Sequence, residues 1–363
     1  MSKILTILEN PIPDEKNFFK GRGAQINTCN PYQTVNYARE HCEGLDEEWP
    51  LTAQTQFFTE HPKKIVNIID TPDAPMPASV NPYQGCEHGC IYCYARNSHQ
   101  YWGFSAGVDF ESRIIIKPNA PQLLENTFMS PAWQVTPVAF SGNTDCYQPI
   151  ERKMQLTRKM LDICLRFGNP AGIITKNSLI LRDLDILGPM AQKDLIQVLI
   201  SITTLQESLR RRMEPRTSTA AGRLEVVRQL SENGIPVTVM IGPVIPGLND
   251  HEIPDILEAA AANGARNSAF NMIRLNGSIA EIFSDWIHKT FPDKADRVLN
   301  NIRSVHQGNL NDSRWKTRMR GDGPLAESIH QLFRLSRDKY FPNRIPFSYN
   351  TTHFHRPGQL SLF

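Results

Sequence analysis

The chain has 363 residues, 40% of them hydrophobic and 21% charged, with a formal net charge of +2. That balance describes a globular protein and excludes a disordered chain or a membrane protein. A net charge this small gives no overall bias toward nucleic acid.

The first 75 residues lack sustained hydrophobic periodicity and are broken by glycine, proline and asparagine, as in "FFKGRGAQINTCNPYQ". An irregular extension with a few short elements is expected over 1–75. Its opening stretch meets charge and proline before reaching signal-peptide length, and the longest apolar runs are too short to span a bilayer. A cytoplasmic protein with no membrane partner is expected.

From residue 76 the pattern changes. "PASVN", "TPVAFSGNT", "AGIITKN", "LIQVLISITT", "IPVTVMIGPV" and "ARNSAFNMIRL" read as strands, while "PIERKMQLTRKMLDICLRFG", "RDLDILGPMAQK" and "TAAGRLEVVRQLSENG" read as helices with apolar faces. Repeated strand–helix units predict a parallel sheet with right-handed connections over 76–290. Six units are too few for a closed eight-stranded barrel and suit an open barrel or a doubly wound sheet, both of which gather chemistry at the C-terminal strand ends. There the polar segments "SGNTD", "TKNS", "SITT" and "GPVIPGLND" end the second to fifth strands, and a cysteine-rich loop follows the first. One site at one mouth is the expectation.

Residues 291–356 read as a basic helical region. From Arg303 on, Arg314, Lys316, Arg318, Arg320, Arg334, Arg337, Lys339, Arg344 and Arg356 face only Asp312, Asp322, Glu327 and Asp338. Both a solvated helix face and phosphate contact fit such a run.

The loop after the first strand, "NPYQGCEHGCIYCYARN", places Cys86, Cys90 and Cys93 within eight positions, with Gly85 and Gly89 free to take the φ angles of a wrapping loop. Seven cysteines in a long chain without a secretion signal make a disulfide framework a poor reading, so the thiols point to a metal. Structural zinc wants a second ligand pair, and only Cys146 and His88 stand near enough to improvise one. Iron–sulfur clusters are held by thiolates in short runs of this kind, usually four; three would leave one iron open.

The C-x3-C-x2-C loop with Tyr92 inside it resembles the signature of radical S-adenosylmethionine (SAM) enzymes. With "GNTDCYQPIE", "ITKNSLILRDLDIL", "SITTLQESLRRRMEPR" and "GIPVTVMIGPVIPGLND", residues 78–290 are similar to the spore photoproduct lyase-like group of that superfamily. The resemblance implies an α/β fold, a partial (βα)6 TIM-like barrel with irregular N-terminal and basic C-terminal extensions. It implies a [4Fe–4S] cluster on Cys86, Cys90 and Cys93, SAM on the open iron, and an electron donor of flavodoxin or ferredoxin type. It assigns Tyr92 to packing beside SAM, Thr144 and Asp145 to the SAM methionine group, and Lys176 to its carboxylate, a role that an ammonium at a strand end suits. The short hydroxyls of Ser201 and Thr203 suit a ribose, and Asn249 falls near adenine. Glu214 and Arg216 pair with SAM or with each other.

The implied reaction is reductive cleavage of SAM to a 5′-deoxyadenosyl radical that takes hydrogen from substrate, with DNA repair as the first expectation. An RNA, a peptide or a small metabolite is the alternative substrate, and a non-catalytic cluster protein the alternative class. Spore photoproduct lyases return hydrogen from a cysteine three residues before the motif aspartate, a position held here by Gly142. Cys146, on the other side of Asp145, fits both a relocated donor and a buried structural thiol. Cys164 lies at an apolar helix position and reads as core. His88, Tyr94, His99 and Trp102 either line the mouth or pack.

The last segment, 357–363, is set off by Pro357 and Gly358. Its residues Gln359, Leu360, Ser361, Leu362 and Phe363 resemble the peptide by which bacterial polymerases and repair proteins bind the sliding clamp, so DNA and that clamp are the expected partners.

Overall fold

The computed structural model describes residues 19–32, 54–71, 76–315 and 317–356. Six parallel strands build its main sheet: β1 (Ala78–Val80), β2 (Val138–Phe140), β3 (Ala171–Thr175), β4 (Ile196–Ser201), β5 (Val237–Val244) and β6 (Asn267–Met272). Each lies inside one of the runs marked by β-branched and apolar residues. They pair strictly in chain order. Register runs from Ala78↔Val138 through Val138↔Ala171, Ala171↔Ile196 and Val198↔Val237 to Thr238↔Asn267. Right-handed crossovers between successive strands put every connecting helix on the same face, whereas a doubly wound sheet reverses its strand order partway. No reversal occurs among the described strands, so the sheet is a partial (βα)6 barrel. An antiparallel strand, Val66–Ile68, edges β1, and β6 edges the other side.

The outer layer is α1 (Ala120–Met129), α2 (Leu156–Phe167), α3 (Leu184–Ala191), α4 (Ala220–Glu232) and α5 (Ile253–Ala262). On α2 the buried face is Leu156, Met160, Ile163, Cys164 and Phe167, the i, i+4, i+7 stripe of an amphipathic helix. Burying a side chain such as Phe167 contributes about 2–3 kcal/mol. The single helix expected over 149–168 is instead two pieces, Glu151–Met154 and α2. Gln155 breaks it with a φ of 52°, and the buried Glu151 carboxylate accepts the N–H groups of Thr157 (3.1 Å) and Arg158 (3.3 Å) at the new helix start.

Two parts of the fold lie outside the expected strand–helix run. Gln56–Thr59 pairs in parallel with Arg113–Ile116, which pairs antiparallel with Tyr83–Gln84, making a three-stranded sheet beside the cysteine loop. After the barrel come α6 (Ile279–Thr290), α7 (Pro292–Ser304) and α8 (Gly323–Tyr340). The α8 residue Phe333 packs on Phe270 of β6 at 4.5 Å between ring centroids. Between α7 and α8 the chain returns to the end of β6, where Met272 N donates to Met319 O at 2.9 Å. Arg318 then reaches Thr71 Oγ1 at 3.0 Å, tying the β6 side to the chain beyond the Val66–Ile68 edge.

Residues 341–356 form a strap across the N-terminal ends of the strands. Asn350 N donates to Asp194 O (3.0 Å), and His355 N to Phe167 O (2.9 Å). Phe354 packs on Phe128 and Phe167, and Arg356 donates to the carbonyls of Phe128 (3.2 Å) and Ser130 (2.9 Å). Glycine is required beneath the strap: a Cβ on Gly168 would stand 2.2 Å from His353 O.

Candidate active site

The cysteine loop is held from behind by backbone contacts that leave no room for side chains. Gly85 (φ 77°) and Gly89 (φ 69°) adopt left-handed geometry, and a Cβ on Gly89 would meet the Glu111 carboxylate at 2.7 Å. Cys86 N donates to Phe110 O at 2.9 Å and Ile91 N to Met213 O at 3.0 Å. Arg96, fully buried, donates to Cys90 O from Nε (3.0 Å) and Nη2 (2.9 Å), and its Nη2 pairs with Glu111 at 2.5 Å. Glu111 in turn accepts Gly23 N (2.9 Å) and Ala24 N (2.8 Å). The segment around Gly23 thus lies backbone to backbone on the loop, where a Cβ would stand 1.9 Å from Gly89 O.

Of the three neighbouring thiols, Cys86 is buried and Cys90 and Cys93 are half-buried. Burial, the Glu214 charge and the other two thiols all push Cys90 up, and burial and Cys86 push Cys93 up; Lys176 opposes both shifts. Thiolates crowded this way are costly until a cationic group binds them, which is the behaviour of a metal–sulfur donor set.

Beside the thiols, four elements bring their polar groups together. Lys176, at the end of β3, donates from Nζ to Ser201 Oγ at the end of β4 (2.8 Å) and stands 5.8 Å from the Tyr92 ring centroid. Tyr92 donates its phenol to Glu214, which also accepts Thr203 Oγ1 at 2.7 Å and pairs with Arg223 of α4. Both members of that pair are buried. Burial alone would raise the Glu214 carboxyl, but Arg223, then Lys176 and the two hydroxyls, hold it at about 2.

Several expected positions stand elsewhere. Asp145 presents no free carboxylate to a ligand: it accepts Thr175 Oγ1 (2.8 Å), Lys176 N (2.8 Å) and Tyr147 N (2.9 Å) and lies 3.3 Å from His88 Nδ1. Burial works against its charge, yet His88 and these N–H groups bring it to about 2. His88 is likewise desolvated but raised to about 10 by Asp145 and Cys86, and its Nε2 lies 3.1 Å from Asn177 Nδ2. Asp145 and His88 therefore orient the end of β3 against the cysteine loop. Thr144 does similar work, donating to Gly85 O at 2.6 Å and accepting Gln148 Nε2 at 2.9 Å.

Arg216 does not pair with Glu214; its side chain turns outward to Gly21 O (3.1 Å) and to Glu87, 3.8 Å away. Asn249 spends its amide on its own loop, at Pro243 O (3.1 Å) and Ile245 N (2.6 Å), and on Thr203 O (2.8 Å) after β4, tying the two loops together. Cys146 is completely buried in the apolar core with Cys164, so the relocated-donor reading does not fit its place. Of the mouth candidates, His99 is buried and Trp102 lies 5.6 Å from Lys117 Nζ. Tyr94 is half exposed and donates its phenol to Gly142 O at 2.6 Å.

Arg96, Glu111 and Arg223 carry no local signal in the sequence, since each stands among other polar or charged residues.

The family model described as the Radical SAM superfamily matches residues 80–260. An uncharacterized protein of Mycobacterium tuberculosis is 32% identical over 225 residues, 61% of this chain and 66% of that one, so the chain spans about two thirds of that relative's length. An uncharacterized protein of Methanocaldococcus jannaschii is 30% identical over 190 residues, 52% of this chain and 68% of the relative. Among solved structures, spore photoproduct lyase complexed with dinucleoside spore photoproduct superposes with a TM-score of 0.60 at 14% identity, over 85% of this chain and 88% of that one. That likeness is one of fold.

Proposed function

The chain belongs to the radical SAM superfamily, and from that premise we propose that Cys86, Cys90 and Cys93 hold a [4Fe–4S] cluster beside a SAM site and that the enzyme acts on DNA. The cluster supplies, when bound, the electron that splits the sulfonium of SAM. Lys176 keeps two N–H donors for the SAM carboxylate after giving one to Ser201. Glu214 fixes the Tyr92 ring, the end of β4 and α4 in one frame, so that the cofactor meets a preformed wall. Asp145 and His88 set the height of Lys176 from below.

The observation that carries this reading is the juxtaposition of three mutually coupled thiols, one buried and two half-buried, with the Lys176–Tyr92–Glu214 group at the strand ends. A DNA substrate is supported by the fold shared with spore photoproduct lyase, a protein solved with a dinucleoside photoproduct. Gly142 favours a second reading, a substrate other than that photoproduct: an RNA, a peptide or a small metabolite. The group at the vacant thiol position is the Tyr94 phenol, on the Gly142 carbonyl. As a partner we propose the bacterial sliding clamp, bound through Gln359, Leu360, Ser361, Leu362 and Phe363; these lie outside the described residues, and the motif alone supports the proposal.

Anaerobic reconstitution should give one [4Fe–4S] cluster whose electron resonance signal changes on adding SAM, and Cys86→Ala, Cys90→Ala or Cys93→Ala should each abolish it. A colourless protein with stoichiometric zinc refutes the cluster. Loss of photoproducts from a digest of ultraviolet-irradiated DNA supports the first substrate reading. SAM cleavage without such loss supports the second.

A further inference from the structure

The middle of the barrel is not filled. Ala139 of β2, Ile174 of β3, Leu199 of β4, Met240 of β5 and Ala269 of β6 alternate with outward residues of the core and so face the lumen. Each is partly exposed, whereas their outward neighbours Phe140, Ile173, Val198 and Val239 are completely buried. Side chains that packed the centre of a barrel would be as buried as those neighbours. Below them the lumen is closed: Gln197 Nε2 donates to Thr238 Oγ1 at 3.2 Å, and a Cβ on Gly172 would meet Met76 Cε at 2.5 Å and Tyr349 Oη at 2.6 Å. The result is an apolar pocket open toward the strand ends.

Asn271 stands at the upper rim of this wall, two residues beyond Ala269 on the same face, about 7 Å further along the strand. Register slips beside it, from Phe270↔Ile241 to Met272↔Val244, so that Asn271 faces both Gly242 and Pro243. Such a bulge re-aims the side chains around it. The Asn271 Oδ1 lies over Gly242, where a Cβ would stand 2.7 Å away, and among the described residues nothing donates to it. A buried amide oxygen without a donor is costly. Other amides at the strand ends are engaged: Asn81 accepts Asn143 N (2.8 Å), Asn177 accepts Leu179 N (3.0 Å), and Asn249 binds three backbone groups. Along the mouth, Lys176 Nζ donates to Ser201 Oγ (2.8 Å) and Ser201 Oγ to Gly242 O (3.5 Å). Asn271 is thus the next side chain round the rim after the residues proposed for SAM.

We infer that Asn271 is a specificity-determining residue for substrate, and that it reads the donor–acceptor edge of a nucleobase seated on the apolar wall. The inference rests on the function proposed above and names the part of a nucleic acid that enters the lumen. A side-chain amide carries N–H and C=O side by side and meets a base edge with two hydrogen bonds. A turn about χ2, a broad torsion for Asn, brings Oδ1 from Gly242 to the lumen. The wall suits an uncharged planar group. The carboxylates of Asp145 and Glu214 are filled by donors of the chain, so neither is left for the cationic side chain of a peptide.

The test uses the full-length reconstituted protein with SAM present and the cluster left oxidised, so that nothing turns over, and a five-residue oligothymidylate as probe. Its counterpart methylated at N3 of each base lacks the donor of the pairing edge. Calorimetry should show the methylated probe binding the unaltered protein at least tenfold more weakly. Asn271→Leu keeps the shape of the side chain and removes both hydrogen-bonding atoms. It should bind the unmethylated probe at least tenfold more weakly, lose nothing further with the methylated one, and hold SAM as before, because the two changes remove one contact. Gly242→Ala should act in the same direction on the unmethylated probe, since the added Cβ displaces the amide. A five-residue oligouridylate offers the same edge, and dependence on N3–H in either oligonucleotide supports the inference, the tighter of the two naming DNA or RNA. Equal affinity for methylated and unmethylated probes, no binding of either, or additive losses in Asn271→Leu would overturn it. So would an acetylated, amidated lysine peptide that binds more tightly than both oligonucleotides and depends on Asn271. A chain that takes up no cluster or fails to cleave SAM on reduction would instead overturn the function proposed above.

Discussion

Glu214→Gln removes one charge from the middle of the site while conserving shape, and its effect follows from the burial of the pair. Arg223 would be left as a cation without its partner where the two side chains are 2% and 0% exposed. Breaking such a pair by removing one partner costs about 3–5 kcal/mol. The titration of Glu214 gives a concordant figure: a carboxyl held at about 2 against an ordinary 4.5 contributes about 3 kcal/mol. Because the folded-state value is depressed, that contribution is complete above about pH 4.5 and is lost as pH falls toward 2. Urea denaturation of the cluster-free chain should therefore show the variant about 3 kcal/mol less stable at pH 7, with the gap at least halved at pH 3. A gap below about 1 kcal/mol at pH 7, or one that does not narrow on acidification, would refute the reasoning.

Lys176→Ala should weaken SAM binding roughly ten- to hundredfold, the worth of one charge-assisted hydrogen bond, with cluster content unchanged; unaltered affinity by calorimetry would remove Lys176 from the site. Cys146→Ala should cost about 1–2 kcal/mol of stability for a small core cavity and leave SAM cleavage and products as they are, and a changed product distribution would restore its candidacy as a hydrogen donor. Replacing Gln359, Leu362 and Phe363 by alanine should abolish clamp binding in the micromolar range without altering SAM cleavage. Clamp binding that survives deletion of 357–363 would refute that role.

What the sequence disclosed is what depends on local pattern. The six barrel strands were legible because buried parallel strands carry continuous apolar runs, and the cysteine loop because ligand spacing is a local property. Gln56–Thr59 escaped because all four residues are exposed, leaving no alternation to read. Asp145 was expected beside the SAM methionine group, and the partners its carboxylate takes within the chain were not legible. Which groups fill a carboxylate depends on where the ends of β2 and β3 meet, and on the His88 ring arriving from a third segment. The Arg96–Glu111 and Glu214–Arg223 pairs were illegible for the same reason, since each is buried only by tertiary packing. Gln155 shows the complementary limit: a helical pattern ran unbroken through it, and a buried carboxylate one turn earlier split the helix.

The strap over the barrel floor gives the fold a direction. Arg356 is pinned to two carbonyls at the end of α1, and Asn350 and His355 hold the strap beside the starts of β4 and β3, while the candidate site lies at the far end of the strands. The length of the sheet therefore separates the strap from the entrance, and whatever rests on the floor leaves that entrance unobstructed.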